Sequence, residues 1–173
     1  MQGQRLFFFG SLMDPDVLEI VTGRAIDQTH LKPGTLEGYR CEREVKESYP
    51  VLVPCPGGKA TVLIAEGLSE TEIDRILFYE TGEYDLVPFT VDDGTGKLEA
   101  QGFATGEGIK TSGDTWRLNV WQATEKSDFL PLASAFMAAY GKMSIPEALK
   151  YWDQLTEEFE AKKPRALKRG QSL

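Results

Sequence analysis

The sequence has few of the side chains that bind metals or that act with a base as nucleophiles. Its 173 residues include one histidine and two cysteines. A Ser-His-Asp or Cys-His triad would have to use His30, and a zinc site would have only His30, Cys41, Cys55 and carboxylates as ligands. His30 lies in a polar connection, so we expect it to be exposed. Any chemistry should therefore depend on carboxylates, hydroxyls and backbone groups.

Positive charge and long apolar runs are also scarce. The formal net charge is -8, whereas binding to nucleic acid needs a basic surface. No apolar run approaches the ~18 residues that a membrane span requires. Only four apolar residues separate Arg5 from Gly10, which is unlike a signal peptide. We therefore expect a cytoplasmic protein without a nucleic-acid or membrane partner.

Cys41 and Cys55 form no C-x-x-C motif, so we expect two free thiols, with a redox or pairing role as the alternative.

The strand pattern predicts the fold class. The length favours one domain, and hydrophobic residues make up 41% of the chain, which is enough for a sizeable core. Closely spaced strands with few helices between them favour an α+β fold, a small mixed and mostly antiparallel β-barrel with flanking helices. Glycine-rich connections at residues 56–58 and 93–96 separate several strands. The predicted strands are residues 5–9, 35–39, 51–53, 60–65, 86–91, 98–104 and 116–121.

Capping signals mark the helices. Asp14 followed by Pro15 predicts a short helix that begins after the first strand, and Gly23 ends it. Ser69 and Glu72 predict a capping box at the start of a second helix.

Two more helices are predicted at residues 130–140 and 145–159, and the second has its own capping box at Ser144 and Glu147. The predicted domain boundaries are residues 1–125 for the barrel domain and residues 126–173 for a helical extension packed on the same domain.

Helical spacing puts a carboxylate on an apolar face. In the helix that begins after Ser69, Ile73, Ile76 and Leu77 occupy positions i, i+3 and i+4, and the i+7 position is Glu80. Burial and the negative end of the helix dipole both disfavour the charged form, so we expect a raised pKa for Glu80. Such a carboxyl group suits general acid/base catalysis. The alternative is that Glu80 lies at a frayed helix end and turns to solvent.

Three motifs, in order, resemble those of the gamma-glutamylcyclotransferase-like (AIG2-like) family. The run from Leu6 to Met13, centred on Phe9-Gly10-Ser11-Leu12, resembles the Y-G-S/T-L opening of that family. Tyr49-Pro50-Val51-Leu52 is similar to its Y/F-P-x-L strand. Residues 68–80, followed by Tyr84, resemble its L-D-x-[FY]-E-G…Y signature, and residues 85–88 continue the match. The resemblance covers residues 5–121 and implies the gamma-glutamylcyclotransferase-like fold.

The likeness is greatest to a subgroup in which such a module accompanies a Nudix hydrolase. No Nudix box occurs in the sequence, so we expect no Nudix hydrolase activity from this chain. The resemblance instead implies a Nudix-type protein as a candidate partner. Both a monomer and a homodimer stay open. The residues that carry this likeness are Phe78-Tyr79-Glu80, Tyr84-Asp85-Leu86, Trp116, Trp121 and the late helices.

The resemblance implies a transferase or lyase that releases 5-oxoproline from a small γ-glutamyl compound, as in glutathione metabolism. The substrate's own α-amine attacks its γ-carbonyl, so the protein mainly holds a bent conformer. The resemblance gives the general acid/base role to Glu80 and requires no metal or cofactor. Backbone amides of the glycine-serine turn, at a helix N-terminus, would hold the substrate carboxylate or the oxyanion. The substrate-binding residues expected from the motifs are Phe9, Gly10, Ser11, Leu12, Met13, Asp14, Tyr49 and Tyr84.

Several alternatives stay open for these residues. Ser11 could serve only the turn, and Tyr49 and Tyr84 could pack in the core or at its rim. Phe9, Leu77 and Thr81 depart from the tyrosine, aspartate and glycine that the family has at these places. These departures motivate an alternative function, a non-catalytic small-ligand-binding or regulatory AIG2-like module. A different small-molecule transferase or hydrolase on the same scaffold is a third possibility.

Overall fold

The computed structural model describes residues 4–45, 49–81, 85–104 and 110–163. Within these ranges lie six strands, five α-helices and two 3-10 turns, the latter at Ser11–Met13 and Gln28–His30. The strands are β1 (Leu6–Phe8), β2 (Leu31–Glu44), β3 (Pro50–Ala65), β4 (Leu86–Asp92), β5 (Lys97–Phe103) and β6 (Thr111–Thr115). The helices are α1 (Pro15–Thr22), α2 (Glu70–Tyr79), α3 (Leu118–Thr124), α4 (Lys126–Met137) and α5 (Ile145–Lys162).

Five of the strands close into a barrel. The strand order along the sheet is β3-β1-β5-β4-β2, and β2 also pairs with β3, which joins the two ends. The β1–β5 pair is parallel, and the other described pairs are antiparallel. β6 continues the sheet beyond β2. The predicted α+β class, a small mixed and mostly antiparallel barrel with flanking helices, is confirmed.

β1 lies in the centre of the core. Leu6, Phe7 and Phe8 are all buried, so the strand shows no alternation of apolar and polar residues. A strand covered on both faces reads as a continuous apolar run, which is the pattern of this segment. The ring of Phe7 meets Phe89 of β4 edge to face at 5.4 Å between centroids. The core therefore fixes the end of β1, where the glycine-serine turn begins.

β2 and β3 form one long hairpin, and the predicted break at residues 56–58 is wrong. β3 runs without interruption through both strands predicted at residues 51–53 and 60–65. Residues 55–58 oppose the single residue Gly38, because Glu37 pairs with Lys59 and Tyr39 pairs with Pro54. Gly38 has a φ of 84°, a conformation that favours glycine, and a β-bulge absorbs the extra residues.

The predicted helix starts at α1, α2 and α5 are confirmed. The carboxylate of Asp14 caps α1 by accepting hydrogen bonds from the amides of Asp16 and Val17. Both α2 and α5 begin with complete capping boxes, in which the serine accepts from the glutamate's amide and the glutamate accepts from the serine's amide. These local signals act over three residues, which explains why the sequence alone was sufficient to find them.

The strand predicted at residues 116–121 is wrong. Trp116 follows β6, and Trp121 lies inside α3. Tryptophan and valine favour strands, and Arg117 at the start of α3 gives no side-chain cap, so local signals pointed away from a helix. Trp121 is only 3% exposed, and its burial stabilises the helix through tertiary packing.

The last two helices pack on the helical side of the barrel. α4 contacts α1, α2, α3 and α5. Phe136 of α4 is fully buried and stacks on Phe78 of α2 with 4.9 Å between ring centroids. The predicted boundary at residue 125 falls between α3 and α4 and stays a prediction. None of the helices in the described ranges is long and apolar enough to cross a membrane.

Candidate functional site

The segment that links β1 to α1 forms one wall of a cleft. After Phe9, the chain makes a 3-10 turn in which the Met13 amide donates to the Gly10 carbonyl at 2.9 Å. A Cβ atom on Gly10 would lie 3.0 Å from Cγ of Pro50, so glycine allows this turn to approach the start of β3. The amides of Ser11 and Leu12 come first in the turn, where a helix offers no acceptor of its own.

Asp14 is part of the scaffold. Its carboxylate is buried and accepts from two amides of α1, from the side-chain amide of Gln122 at 2.8 Å and from Nζ of Lys126 at 2.9 Å. Burial alone would raise the pKa of Asp14, but the hydrogen bonds from Lys126, Gln122 and Val17 outweigh burial and lower it. An anion already occupies the N-terminus of α1, so that end is not available to a substrate carboxylate.

A hydrogen bond joins the glycine-serine turn to the end of α2. The hydroxyl oxygens of Ser11 and Tyr79 are 2.8 Å apart, and either can donate to the other. Burial raises the pKa of Tyr79, the charge of Glu80 adds to the rise, and the hydrogen bond with Ser11 opposes it. The phenol therefore stays protonated at neutral pH and keeps a donor next to the turn.

Glu80 is the C-cap residue of α2. Its amide donates to the Ile76 carbonyl at 3.0 Å, so the helix holds its backbone. The residue is partly buried and lines the same cleft as the turn after β1. Its charge raises the pKa of the neighbouring Tyr79, which ties the carboxylate electrostatically to the phenol that contacts Ser11. The predicted rise in the pKa of Glu80 itself stays a prediction.

Thr81 carries backbone strain beside Glu80. Among the described residues other than glycine, Thr81 alone has a positive φ, 57°. A β-branched side chain is uncommon in this left-handed conformation. The Thr81 amide donates to the Phe78 carbonyl at 3.0 Å, and its hydroxyl donates to the Glu80 carbonyl at 2.8 Å. These two bonds hold the turn that ends α2, and with it the position of Glu80.

The cleft brings together many, but not all, of the predicted site residues. It has a volume of about 1430 Å³. Met13 and Asp14 are not part of its lining, and Tyr84 lies outside the described residues. Tyr49 lines the cleft and is 39% exposed, so it lies at the rim. The predicted site residues that line the cleft are Phe9, Gly10, Ser11, Leu12, Tyr49 and Glu80.

Two further sets of residues in the cleft were missed from the sequence. Tyr79 lies inside the motif of residues 68–80, directly before Glu80, but its bond to Ser11 joins positions 68 residues apart, and no local pattern signals that contact. The opposite wall comes from helices α3, α4 and α5 and is rich in aromatic side chains. The aromatic residues of that wall are Trp121, Phe129, Trp152 and Phe159, with Trp116 beside them.

The histidine and the cysteines lie where the sequence leads us to expect them. His30 is exposed at the end of a 3-10 turn, and Cys41 and Cys55 are free thiols, with Cys41 buried. Burial raises the pKa of Cys41 to about 12, so this thiol is a poor nucleophile at neutral pH. Within the described ranges, no group of three or more His, Cys, Asp or Glu residues could hold a metal ion.

Comparisons with known proteins converge on one family. The family model described as gamma-glutamyl cyclotransferase, AIG2-like, matches residues 6–123. AIG2-like protein C of Arabidopsis thaliana is 25% identical over 150 residues, which cover 83% of this chain and 81% of that protein. AIG2-like protein B of the same plant is 22% identical over 139 residues, covering 79% of each chain.

Solved structures share the fold. A solution structure of an Arabidopsis thaliana protein gives a TM-score of 0.57 at 22% identity, covering 83% of this chain and 97% of that one. A gamma-glutamyl cyclotransferase structure gives a TM-score of 0.51 at 11% identity, covering 98% of this chain and 94% of that one. At these identities the likeness concerns the fold.

Proposed function

Because this chain belongs to the gamma-glutamyl cyclotransferase, AIG2-like family, we propose that it converts a small γ-glutamyl compound into 5-oxoproline and a free amine. The observation that carries the proposal is that Glu80 and the turn after β1 line one cleft, with the Ser11–Tyr79 bond between them. The residues that carry a carboxyl group, two hydroxyls and the turn amides thus line one cleft, which a bent γ-glutamyl group could enter.

The reaction uses a nucleophile and an electrophile that the substrate already contains. The α-amine nitrogen forms a bond to the γ-carbonyl carbon, the γ-amide C–N bond breaks, and the five-membered lactam and an amine leave. The attacking nitrogen loses two protons, one from the α-ammonium group before attack and one as the lactam forms. Glu80 passes both in turn to the departing nitrogen, which leaves as an ammonium ion, so the proton count balances. Tethering of the two reacting groups means that the protein's main task is to hold their geometry.

The turn and the hydroxyl pair stabilise the charge that develops on the γ-carbonyl oxygen. Ser11 and Leu12 line the cleft and their amides are the proposed donors, and the Ser11–Tyr79 pair has one more hydroxyl proton than its own bond requires. Phe9 lacks the hydroxyl of the family's tyrosine, and Tyr79 supplies a phenol beside the same turn.

The experiment is a 5-oxoproline release assay with γ-glutamyl amino acids, γ-glutamylamines and glutathione. Glu80→Gln keeps the shape of the side chain and removes the proton carrier, so we expect kcat to fall at least about 100-fold. The matched control is Glu70→Gln, which changes an exposed glutamate at the opposite end of the same helix and should keep wild-type activity. Activity that survives Glu80→Gln would remove Glu80 from the mechanism.

A non-catalytic ligand-binding module is the second candidate, because Leu77 replaces the family's aspartate one turn before Glu80. Leu77 packs against the hydrophobic core and contributes no charge to the cleft. In that case the panel of γ-glutamyl compounds would give no product, while one of them would raise the melting temperature. A Nudix-type protein would then be the partner to test by co-purification.

A further inference from the structure

The cleft is larger than a γ-glutamyl group requires. Its volume of about 1430 Å³ exceeds the roughly 300–1,000 Å³ of ordinary small-ligand sites. The turn after β1, Tyr79 and Glu80 account for one side only. The other side is the helical wall, which we define as the cleft-lining residues of α3, α4 and α5. α4 and α5 follow the range that the family model matches, so most of this wall lies outside that range.

A row of aromatic rings runs along the helical wall and begins at Trp116, just before α3. Trp116 and Trp121 have centroids 6.4 Å apart, Trp121 meets Phe129 edge to face at 5.4 Å, and Phe129 lies 6.0 Å from Trp152. Phe129 and Trp152 are only partly buried, so each keeps ring surface that faces out of the core. Partly exposed, rigid aromatic surface inside a cleft favours contact with an apolar or aromatic ligand group.

Two of the three cations among the described residues that line the cleft have acidic partners. Lys163 lies 3.2 Å from Glu160 and 3.7 Å from Asp128, and Arg43 lies 3.2 Å from Glu125. Lys162 covers the ring of Phe159 at 5.9 Å from its centroid. A carboxylate on the incoming ligand would have to compete with these pairs, and Asp153 adds a further negative charge to the wall. The wall therefore disfavours an amino acid as the leaving amine.

We infer that the helical wall binds the leaving-amine part of the substrate and selects γ-glutamyl amides of amines that carry an aromatic or large apolar group and no carboxylate. This inference rests on the proposed function, because the γ-glutamyl part must lie against Glu80 and the turn after β1. The same γ-amide C–N bond breaks in every such substrate. The wall changes only the affinity of the protein for the departing amine.

Two amides that differ by one phenyl ring test the inference. γ-Glutamyl-phenethylamide and γ-glutamyl-ethylamide share the reacting atoms and lack a carboxylate on the amine. We expect kcat/KM to be at least about tenfold higher for the phenethylamide, in line with the discrimination that an apolar pocket provides. γ-Glutamyl-phenylalanine adds a carboxylate to the aromatic amine, so its kcat/KM should be lower than that of the phenethylamide. A ratio of one or less between the two amides would overturn the inference.

Variants of α5 connect the preference to the wall. Trp152→Leu keeps apolar packing and removes the indole surface, so the phenethylamide-to-ethylamide ratio should fall towards one. Phe159→Ala, nearer the end of α5, tests the same wall if Trp152→Leu does not fold. Ile145→Ala is the control, because Ile145 begins the same helix, is 40% exposed and does not line the cleft. An unchanged ratio in both wall variants would also overturn the inference.

Failure of the proposed function gives a different result from failure of this inference. If neither amide yields 5-oxoproline with the wild-type chain, the cyclotransferase proposal fails, and calorimetric titration of both amides then decides the inference. Tighter binding of the phenethylamide supports the helical wall as its site, and equal or absent binding of the two amides overturns it.

Discussion

At the end of α2, two neighbouring residues bring a carboxyl group and a phenol to the same cleft. Helical spacing identified Glu80, because its position continues the stripe of Ile73, Ile76 and Leu77. Tyr79 was not identified, because its significance comes from Ser11, which is distant in sequence and close only after the barrel has formed. Asp14 was assigned to the substrate, whereas the structure uses it to join α1 to Gln122 and Lys126.

The hydroxyl of Tyr79 should matter for both stability and turnover. Tyr79→Phe removes the 2.8 Å bond to Ser11, and we expect the free energy of unfolding to fall by about 1 kcal/mol. We also expect kcat to fall about tenfold, because the turn loses a donor at the oxyanion. Steady-state kinetics and urea unfolding measure the two effects. Tyr151→Phe is the control, since Tyr151 packs by its ring on Phe136. Equal losses in the two variants would contradict the role of Tyr79.

The buried thiol of Cys41 predicts a loss of stability in alkali. Burial raises its pKa to about 12, whereas an unfolded cysteine ionises near pH ~8.5. The buried thiol contributes its full stabilisation below the pKa of the unfolded cysteine. This stabilisation is lost as the pH rises towards the pKa of the folded thiol. Between these limits the free energy of unfolding should fall by about 1.4 kcal/mol per pH unit for this group.

Urea unfolding from pH 8 to 11 (about the range between the two values) measures that slope. Cys41→Ala should make the slope shallower, whereas Cys55→Ala, at a partly exposed position, should preserve it. Parallel curves for wild-type and Cys41→Ala would contradict the assignment to this thiol. Tyr79 and Tyr140 have raised pKa values as well, so part of the alkaline loss remains in every variant.

At the scale of elements, those that depend on short-range signals were predicted well, and those that depend on long-range packing were not. The caps of α1, α2 and α5 were predictable, because each depends on hydrogen bonds across two or three residues. α3 was mistaken for a strand, because its stability comes from the burial of Trp121. The long β3 was divided in two, because a bulge opposite Gly38 accommodates residues that resemble a loop.

Substitutions at Thr81 should change the stability of the turn that ends α2, because they change the backbone strain there. The left-handed conformation costs a non-glycine residue roughly 1–2 kcal/mol. Thr81→Gly removes that cost but adds about 0.5–1 kcal/mol of backbone entropy to the unfolded chain. Thr81→Val keeps the branched side chain and loses the hydroxyl bond to the Glu80 carbonyl.

Thr81→Gly loses the same hydroxyl bond, so the difference is the strain relief less the entropy cost, and we expect Thr81→Gly to be more stable than Thr81→Val by about 0.5–1 kcal/mol. Urea unfolding of the two variants, monitored by circular dichroism, measures this difference. If Thr81→Val is the more stable of the pair, the strain at this turn does not limit stability. The family has glycine at this position, so Thr81→Gly also tests whether the departure alters turnover.

At the scale of the whole molecule, the barrel and the late helices share one core. The strand pattern was sufficient to predict the fold class, but the sequence could not show that α4 and α5 supply a wall of the cleft. That wall depends on packing of α4 against α1 and α2, including the stack of Phe136 on Phe78. Neither helix reveals its partner through its own periodicity.

A chain of residues 1–125 should not fold by itself. Removing α4 exposes the faces of α1 and α2 that it covers and leaves Phe78 of α2 without its stacking partner Phe136. We expect an amide NMR spectrum without native dispersion. In the full chain, Phe136→Ala opens the same contact and should lower the free energy of unfolding by about 3–5 kcal/mol. A dispersed spectrum from residues 1–125 would establish an independent barrel domain.

The pairing of β1 has a consequence for how the protein emerges from the ribosome. Leu6 lies opposite Ala65 in β3 and opposite Gln101 in β5. β1 is synthesised before both β3 and β5, so its three apolar residues, which are buried in the folded protein, stay without these neighbours until β5 has been made. Chains that still lack β5 should recruit chaperones at β1, and the turn that follows β1 should acquire its shape only after β5 has been synthesised.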